Sequence, residues 1–198
     1  MYNNNMKVIL ASASPRRREL IGQTGVDFKV IPSSADEYVG EGCSPEDYVM
    51  MLAERKARQV AEENEGIILG ADTVVVLGGR ILGKPASREE AVKTLAALSG
   101  RKHTVITGYC VIYGAFHEKM RTGAVRSEVF FNDLEPSLID DYVATGLCMD
   151  KAGSYGVQDG FPLVKRVEGS LSNVIGLPVE ELTQVFKEIE DEQYKVSR

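Results

Sequence analysis

Four apolar residues, Val8 to Ala11, run through the small-residue turn Ser12-Ala13-Ser14 into Pro15 and three consecutive arginines, Arg16 to Arg18. The order predicts a buried strand over residues 7–11 that feeds directly into a helix ending near Gly25. Ser14 suits the N-cap and Pro15 the first helical position. The arginines then fall in the first turn, where the helix already carries partial positive charge and each cation costs roughly 0.3–1 kcal/mol. Two readings stay open for them. They form a solvated, somewhat unfavourable helix face, or they face a bound anion together with the hydroxyls of Ser12 and Ser14.

The rest of the chain continues the same alternation. Val26, Phe28 and Val30 alternate with polar residues as a second strand would. Ser44-Pro45, followed by Glu46 and Asp47, starts a helix that the pattern carries to about Asn64. "IILG" and "TVVVL" read as short buried strands on either side of Asp72, and Gly78-Gly79 before "RIL" predicts a hairpin. Ser87 and Glu90 form a capping box for a helix ending at Gly100. Longer strands are expected over 103–114 and 124–131, and a short helix between Pro136 and Gly146. A strand follows near 162–168, then a final helix from Pro178. Helices mixed with hairpins predict an α/β fold, a mixed sheet with helices on its faces. No repeat, linker or low-complexity tract divides residues 1–198, so a single domain is expected, elongated or two-lobed, with residues 1–6 as a frayed leader.

Charge excludes some partners. A net charge of -6 argues against nucleic acid or an anionic membrane as the partner of the whole surface, so any anion must be bound in a local positive pocket. The longest apolar stretch, "GIILGADTVVVLGG", is broken by Asp72 and falls short of a membrane span. Cys43, Cys110 and Cys148 are odd in number and widely spaced. That pattern suits reduced thiols in the cytoplasm better than a disulfide framework or a structural zinc site.

Two further residues break local rules. Asp72 interrupts an apolar run, where a carboxylate is costly unless paired or at a strand end. It is either a structural cap of a turn or a carboxylate at the end of a core strand serving as metal ligand or general base. Lys56 falls inside the apolar stripe Val49, Leu52, Ala53, Ala57 and Val60 of the second helix. It either snorkels past the edge of the core or points into a charged cleft beside the sheet. Glu37, Lys84 and Gln158 are weaker signals, each compatible with an ordinary loop position.

Taken in order, "LASASPRRREL", "ADEY", "LAERKAR", "LGADTVVV", "GKP", "KAGSYGVQ" and "GSLSNVIGLPVEEL" resemble the motifs of the Maf family of nucleoside triphosphate pyrophosphatases, from about Val8 to Leu182. The resemblance implies the ITPase-like (Maf/Ham1) α/β fold with a cleft between two lobes. It implies divalent-metal-dependent hydrolysis of a nucleoside triphosphate to the monophosphate and pyrophosphate. Asp72 matches the family's catalytic proton acceptor, and Arg16, Thr73 and Gln158 match the positions tied to substrate choice. At those three positions the chain is similar to the branch acting on dTTP and UTP rather than the 7-methyl-GTP branch. Ser12, Ser14, Arg17, Glu37, Lys56 and Lys84 fall on other polar motif positions. The first two and the cations are expected to bind phosphate, while Glu37 and Asp72 hold Mg²⁺ or Mn²⁺. One departure is Asp159, where a glycine commonly follows the glutamine. A homodimer is implied as well. Two other functions stay open beside hydrolysis: a nucleotide-binding regulator of cell division without turnover, the family having been linked to septum formation, and a nucleotide-dependent transferase, for which no Walker-type glycine loop speaks.

Overall fold

The computed structural model describes residues 6–36 and 42–196, so the expected leader lies outside it except for Met6. β1 (Lys7–Leu10) leads through the Ser12–Ser14 turn into α1 (Pro15–Ile21), and the Ser14 hydroxyl accepts the Arg17 N–H. A single 3-10 turn, Gly22–Thr24, follows. Gly25 then reverses the chain at φ 79°, which glycine adopts without steric cost. β2 (Asp27–Val30) returns parallel to β1, with Phe28 opposite Val8. α2 (Pro45–Ala61) starts at Ser44, whose Oγ accepts the Asp47 N–H at 3.1 Å. β3 (Ile67–Leu77) and β4 (Arg80–Leu82) form the expected hairpin, its turn made by Gly78 and Gly79 at φ 57° and 80°. Then come α3 (Arg88–Leu98), β5 (Lys102–Tyr113), β6 (Lys119–Phe131), α4 (Pro136–Ala144), β7 (Val164–Glu168), α5 (Leu171–Ile175) and α6 (Val179–Val196).

The sheet runs β2-β1-β3-β5-β6-β7, with β4 bonded to β3. β1 is parallel to both its neighbours and the other pairs are antiparallel, so the mixed sheet expected from sequence is present. Apolar packing falls into two large groups. Leu20, Ile21, Leu182 and Phe186 of α1 and α6 cover one end of the sheet over Val8, Leu10 and Leu69. Leu95, Leu98, Ile139 and Tyr142 of α3 and α4 cover the other, over Val105, Val129 and Phe131. Each such side chain contributes roughly 1.5–3 kcal/mol when fully buried.

One expectation is corrected. The two short strands around Asp72 are a single eleven-residue strand, and Asp72 lies in its middle rather than at its end. The physical reason is a gap in the sheet. On one side of β3, β1 pairs only with Ile67 to Leu69, and β4 pairs only from Val75 onward. β5 pairs continuously along the other side, from Ile68 to Val76. Residues 70–74 therefore have a ladder neighbour on one side only, and Asp72 occupies an opening inside the sheet without breaking the strand.

α2 crosses this region in direct contact with the backbone. A Cβ on Gly70 would lie 2.0 Å from the Ala53 carbonyl oxygen, and one on Gly108 would lie 2.5 Å from the Val49 carbonyl carbon. These two glycines let the helix settle on β3 and β5, which brings its buried stripe, Lys56 included, against the strands.

His103, to which the sequence assigns no chemistry, is 2% exposed, and its Nε2 lies 2.7 Å from the Tyr155 hydroxyl. Burial pushes the imidazole down from its usual 6.5 to about 4. The ring stays neutral in the folded protein while the unfolded chain takes up its proton below pH 6.5. Stability is therefore lost as pH falls from about 6.5 toward 4. Between pH 7 and pH 5 the wild type is expected to lose about 2 kcal/mol more than His103→Gln, which cannot titrate. Urea unfolding of both proteins at the two pH values measures the difference, and parallel losses would refute it.

Candidate active site

Every candidate residue that falls within the described chain lines one cavity of about 360 Å³ at the gap in the sheet: Ser12, Ser14, Arg16, Arg17, Lys56, Asp72, Thr73, Lys84 and Gln158. Glu37 lies outside the described residues. Three walls meet here. The start of α1 brings the serines and arginines, the middle of β3 with the inner face of α2 brings Asp72, Thr73 and Lys56, and the 150–158 segment brings Gln158.

Lys56 does not snorkel. Its Nζ turns inward and donates to Asp72 Oδ1 at 2.6 Å, with side-chain exposures of 10% and 14%. A pair this enclosed is anchored by its geometry, because removing either member strands a poorly solvated charge. Among the described residues no hydrogen-bond donor reaches Asp72 Oδ2.

The arginines divide their tasks. Arg17 Nε donates to the Gly176 carbonyl at 2.8 Å, and one terminal nitrogen donates to Thr73 Oγ1 at 3.0 Å. Arg17 thus ties α1 to β3 and to the turn after α5. Thr73 Oγ1 also lies 3.0 Å from Thr107 Oγ1 on β5. Arg16 donates to Asp150 Oδ2 at 2.7 Å and reaches the Asp150 carbonyl at 3.4 Å. Arg18 is exposed, and because α1 is short it already sits in the last turn, where a cation suits the dipole.

Sequence reasoning missed several residues of the site. Asp150, Lys151, Tyr155 and Gly176 also line the cavity. Asn173, fully buried, supports its floor: Oδ1 accepts the Thr107 N–H at 3.2 Å, and Nδ2 donates to the Val105 carbonyl and to Ser127 Oγ. A signal for this last group existed. Ser170 caps α5 by accepting the Asn173 N–H at 3.1 Å, a Ser-x-x-Asn start inside the run "GSLSN". The helix has only five residues, too few for apolar periodicity to reveal.

Comparison with known proteins identifies the family and the fold. A family model described as Maf-like protein matches residues 7–189. A protein of Thermococcus onnurineus (strain NA1) named dTTP/UTP pyrophosphatase is 49% identical over 177 residues, covering 87% of this chain and 92% of the relative. One of the same name from Geobacter sp. (strain M21) is 44% identical over 191 residues, covering 93% and 96%. Among solved structures, a HAM1 protein from Coxiella burnetii superposes with a TM-score of 0.52 at 18% identity, covering 92% of this chain and 99% of its own. The Staphylococcus aureus Ham1 protein gives 0.51 at 14% identity, covering 93% and 99%. These two likenesses show the fold, an α/β sheet flanked by helices of the Ham1 type. With a family model covering most of its length and relatives of high identity along nearly all of it, the chain belongs to the Maf-like protein family.

Proposed function

We propose that the protein is a nucleoside triphosphate pyrophosphatase that hydrolyses dTTP and UTP to the monophosphate and pyrophosphate. The observation that carries this reading is the Lys56–Asp72 pair at 2.6 Å, set in a cavity whose facing wall is the cationic start of α1. The names of the relatives support the choice of nucleotide.

In this reading the triphosphate lies between Lys56, Lys84 and the α1 start, whose local positive charge offsets the acidic surface elsewhere. Asp72 Oδ2 accepts a hydrogen bond from a water molecule and aims it at the α-phosphorus. The water oxygen forms a bond to that phosphorus while the bond to the oxygen bridging toward the β-phosphorus breaks. The water proton passes to Asp72, and pyrophosphate leaves with the bonding electrons. Lys56 holds the carboxylate in place and meets the charge that builds on the phosphate.

The donor set suits a hard divalent cation, which commonly takes one or two carboxylates and completes its shell with phosphate oxygens and water. Among the described residues no group of three His, Cys, Asp or Glu side chains could hold a metal ion; Asp72, with Glu37 outside the described residues, is proposed as the holder on the family resemblance alone. Mg²⁺ or Mn²⁺ there would supply charge neutralisation for the phosphates and the leaving group.

Also on the cavity lining, the Gln158 amide offers a donor and an acceptor at once, which suits the polar edge of a pyrimidine. Gln158→Glu is expected to lower kcat/KM for dTTP by about tenfold or more, because the amide donor is lost, while altering metal dependence little. Steady-state rates on dTTP, UTP, dCTP and GTP across a Mg²⁺ titration measure this. Equal losses for every base would refute the role. The reading as a whole is tested by incubating the protein with Mg²⁺ and a panel of triphosphates and assaying pyrophosphate. Release from dTTP or UTP is expected, and no release from any triphosphate would favour a binding protein without turnover.

A cytoplasmic location and a homodimer belong to the same proposal. The location is supported by the buried, unbridged Cys110 and Cys148, which suit a reducing compartment. No described helix is long and apolar enough to cross a membrane.

A further inference from the structure

Asp159 follows Gln158 directly, yet its carboxylate does not line the cavity. The side chain is 7% exposed and turns behind the wall. Its Oδ2 accepts the Tyr142 hydroxyl at 2.6 Å and lies 3.3 Å from Lys151 Nζ. The Tyr142 oxygen in turn accepts the Gly156 N–H at 3.1 Å, and the Asp159 N–H donates back to the Gly156 carbonyl at 3.2 Å. Residues 156–159 therefore form a closed turn with Gln158 near its tip, and both ends of that turn are fastened to Tyr142 of α4. The packing is tight: a Cβ on Gly156 would lie 2.6 Å from the Asp159 carboxylate. Burial and the neighbouring Asp159 both push the Tyr142 phenol up, so it remains a donor throughout the working pH range.

Lys151 extends this anchor toward Arg16, another of the three positions that the resemblance ties to substrate choice. It is 8% exposed, and its Nζ donates to the Leu147 carbonyl and to Asp150 Oδ1 at 3.1 Å, besides facing Asp159. Asp150 Oδ2 is the partner of Arg16. Four side chains of alternating charge, Arg16, Asp150, Lys151 and Asp159, thus run from the start of α1 to the turn that carries Gln158.

On the reading of the cavity given above, we propose that Asp159 is a positioning residue for base selection, holding Gln158 through the turn and Arg16 through Lys151 and Asp150. Without its carboxylate, Tyr142 has no acceptor, and Lys151 keeps only the Leu147 carbonyl and Asp150 as partners. The turn then loosens, and the second oxygen of Asp150 is drawn away from Arg16. Both changes fall on Gln158 and Arg16, the residues tied to substrate choice, and touch neither Asp72 nor Lys56. The effect must therefore appear in the recognition of the base and leave the bond-breaking step intact.

The test compares Asp159→Ala and Asp159→Asn with the wild type, using steady-state kinetics on dTTP, UTP, dCTP and GTP with circular-dichroism melts as a folding control. For Asp159→Ala, KM for dTTP is expected to rise about tenfold with kcat within about twofold, so that preference for dTTP over dCTP falls by about the same tenfold. Asp159→Asn keeps an acceptor for Tyr142 and loses only the charge facing Lys151, so its shift should be about threefold. Should the alanine variant fail to fold, Tyr142→Phe removes the same anchor from the other side, and the same direction of change is expected. A folded Asp159→Ala or Tyr142→Phe with wild-type KM and wild-type selectivity overturns the proposal, as does a uniform loss of kcat on all four nucleotides. A wild type that releases pyrophosphate from no triphosphate defeats the pyrophosphatase reading, and the positioning role falls with it. A selective wild type with an equally selective variant defeats the positioning role alone.

Discussion

Asp72→Asn is expected to lower pyrophosphate release from dTTP by about 10³-fold or more, a loss of about 4 kcal/mol of transition-state stabilisation. The amide is nearly isosteric with the carboxylate and still offers Lys56 an oxygen at the Oδ1 position, where the native pair lies at 2.6 Å. The fold should therefore survive, with a lowered melting temperature because the enclosed Lys56 ammonium loses its counter-charge. What disappears is the ability to take a proton from water. Nucleotide affinity measured without divalent metal is expected to hold or to rise, since a negative charge facing phosphate is removed. Stopped or coupled pyrophosphate assays give the rate, and calorimetric titration of dTTP gives the affinity. A variant that retains near-wild-type turnover would mean that another group is the base.

Lys56→Met is the second large effect. The thioether fills much of the same space among Val49, Leu52, Ala53 and Ala57, so packing of the α2 stripe is largely kept. The ammonium is lost from a place where it touches the carboxylate and faces the cavity. We expect kcat to fall about 10²-fold, near 3 kcal/mol, because the carboxylate is no longer held and the developing phosphate charge loses a cation in a partly dry site. Lys56→Arg should recover part of the loss, since the charge returns on a longer, planar head. Rates for the two variants beside the wild type check this, and a Lys56→Met enzyme within about threefold of the wild type would show that the pair is structural only.

Lys56 was legible in the sequence because helical period is a local property. Residues 49, 52, 53, 56, 57 and 60 share a face whatever the helix packs on, and that face proves to be the buried one. The helix starts were legible for the same reason, since Ser14, Ser44 and Ser87 each cap with their own hydroxyl. The course of β3 was not. A carboxylate inside an apolar run is expected at a strand end, and only the sheet shows the alternative. There β1 stops at Leu69 and β4 begins at Val75, which opens a gap beside Asp72 in mid-strand. That gap depends on where two other strands end, which no single window of sequence contains.

The partners of the expected residues were hidden in the same way. Arg16 meets Asp150 across 134 positions of chain, and Arg17 meets Gly176 across 159. Nothing local to "CMDKAG" marks Asp150 as more than a loop residue. Asp159 is the instructive case. From the sequence it reads only as a departure from the glycine that commonly follows the glutamine, whereas the structure turns it behind the wall onto Tyr142. The alternation of charges from Arg16 to Asp159 emerges only once α1 and the 150–159 segment face each other across the cavity.

Hydrolysis of dTTP in ¹⁸O-labelled water, with mass analysis of both products, tests most directly whether a carboxylate on β3 directs water at the α-phosphorus of a triphosphate held by the start of α1. One labelled oxygen in thymidine monophosphate and none in pyrophosphate is the expected result. Label in pyrophosphate, or appearance of the nucleoside diphosphate with labelled orthophosphate, would place the attack at a different phosphorus and contradict the assignment of this cavity.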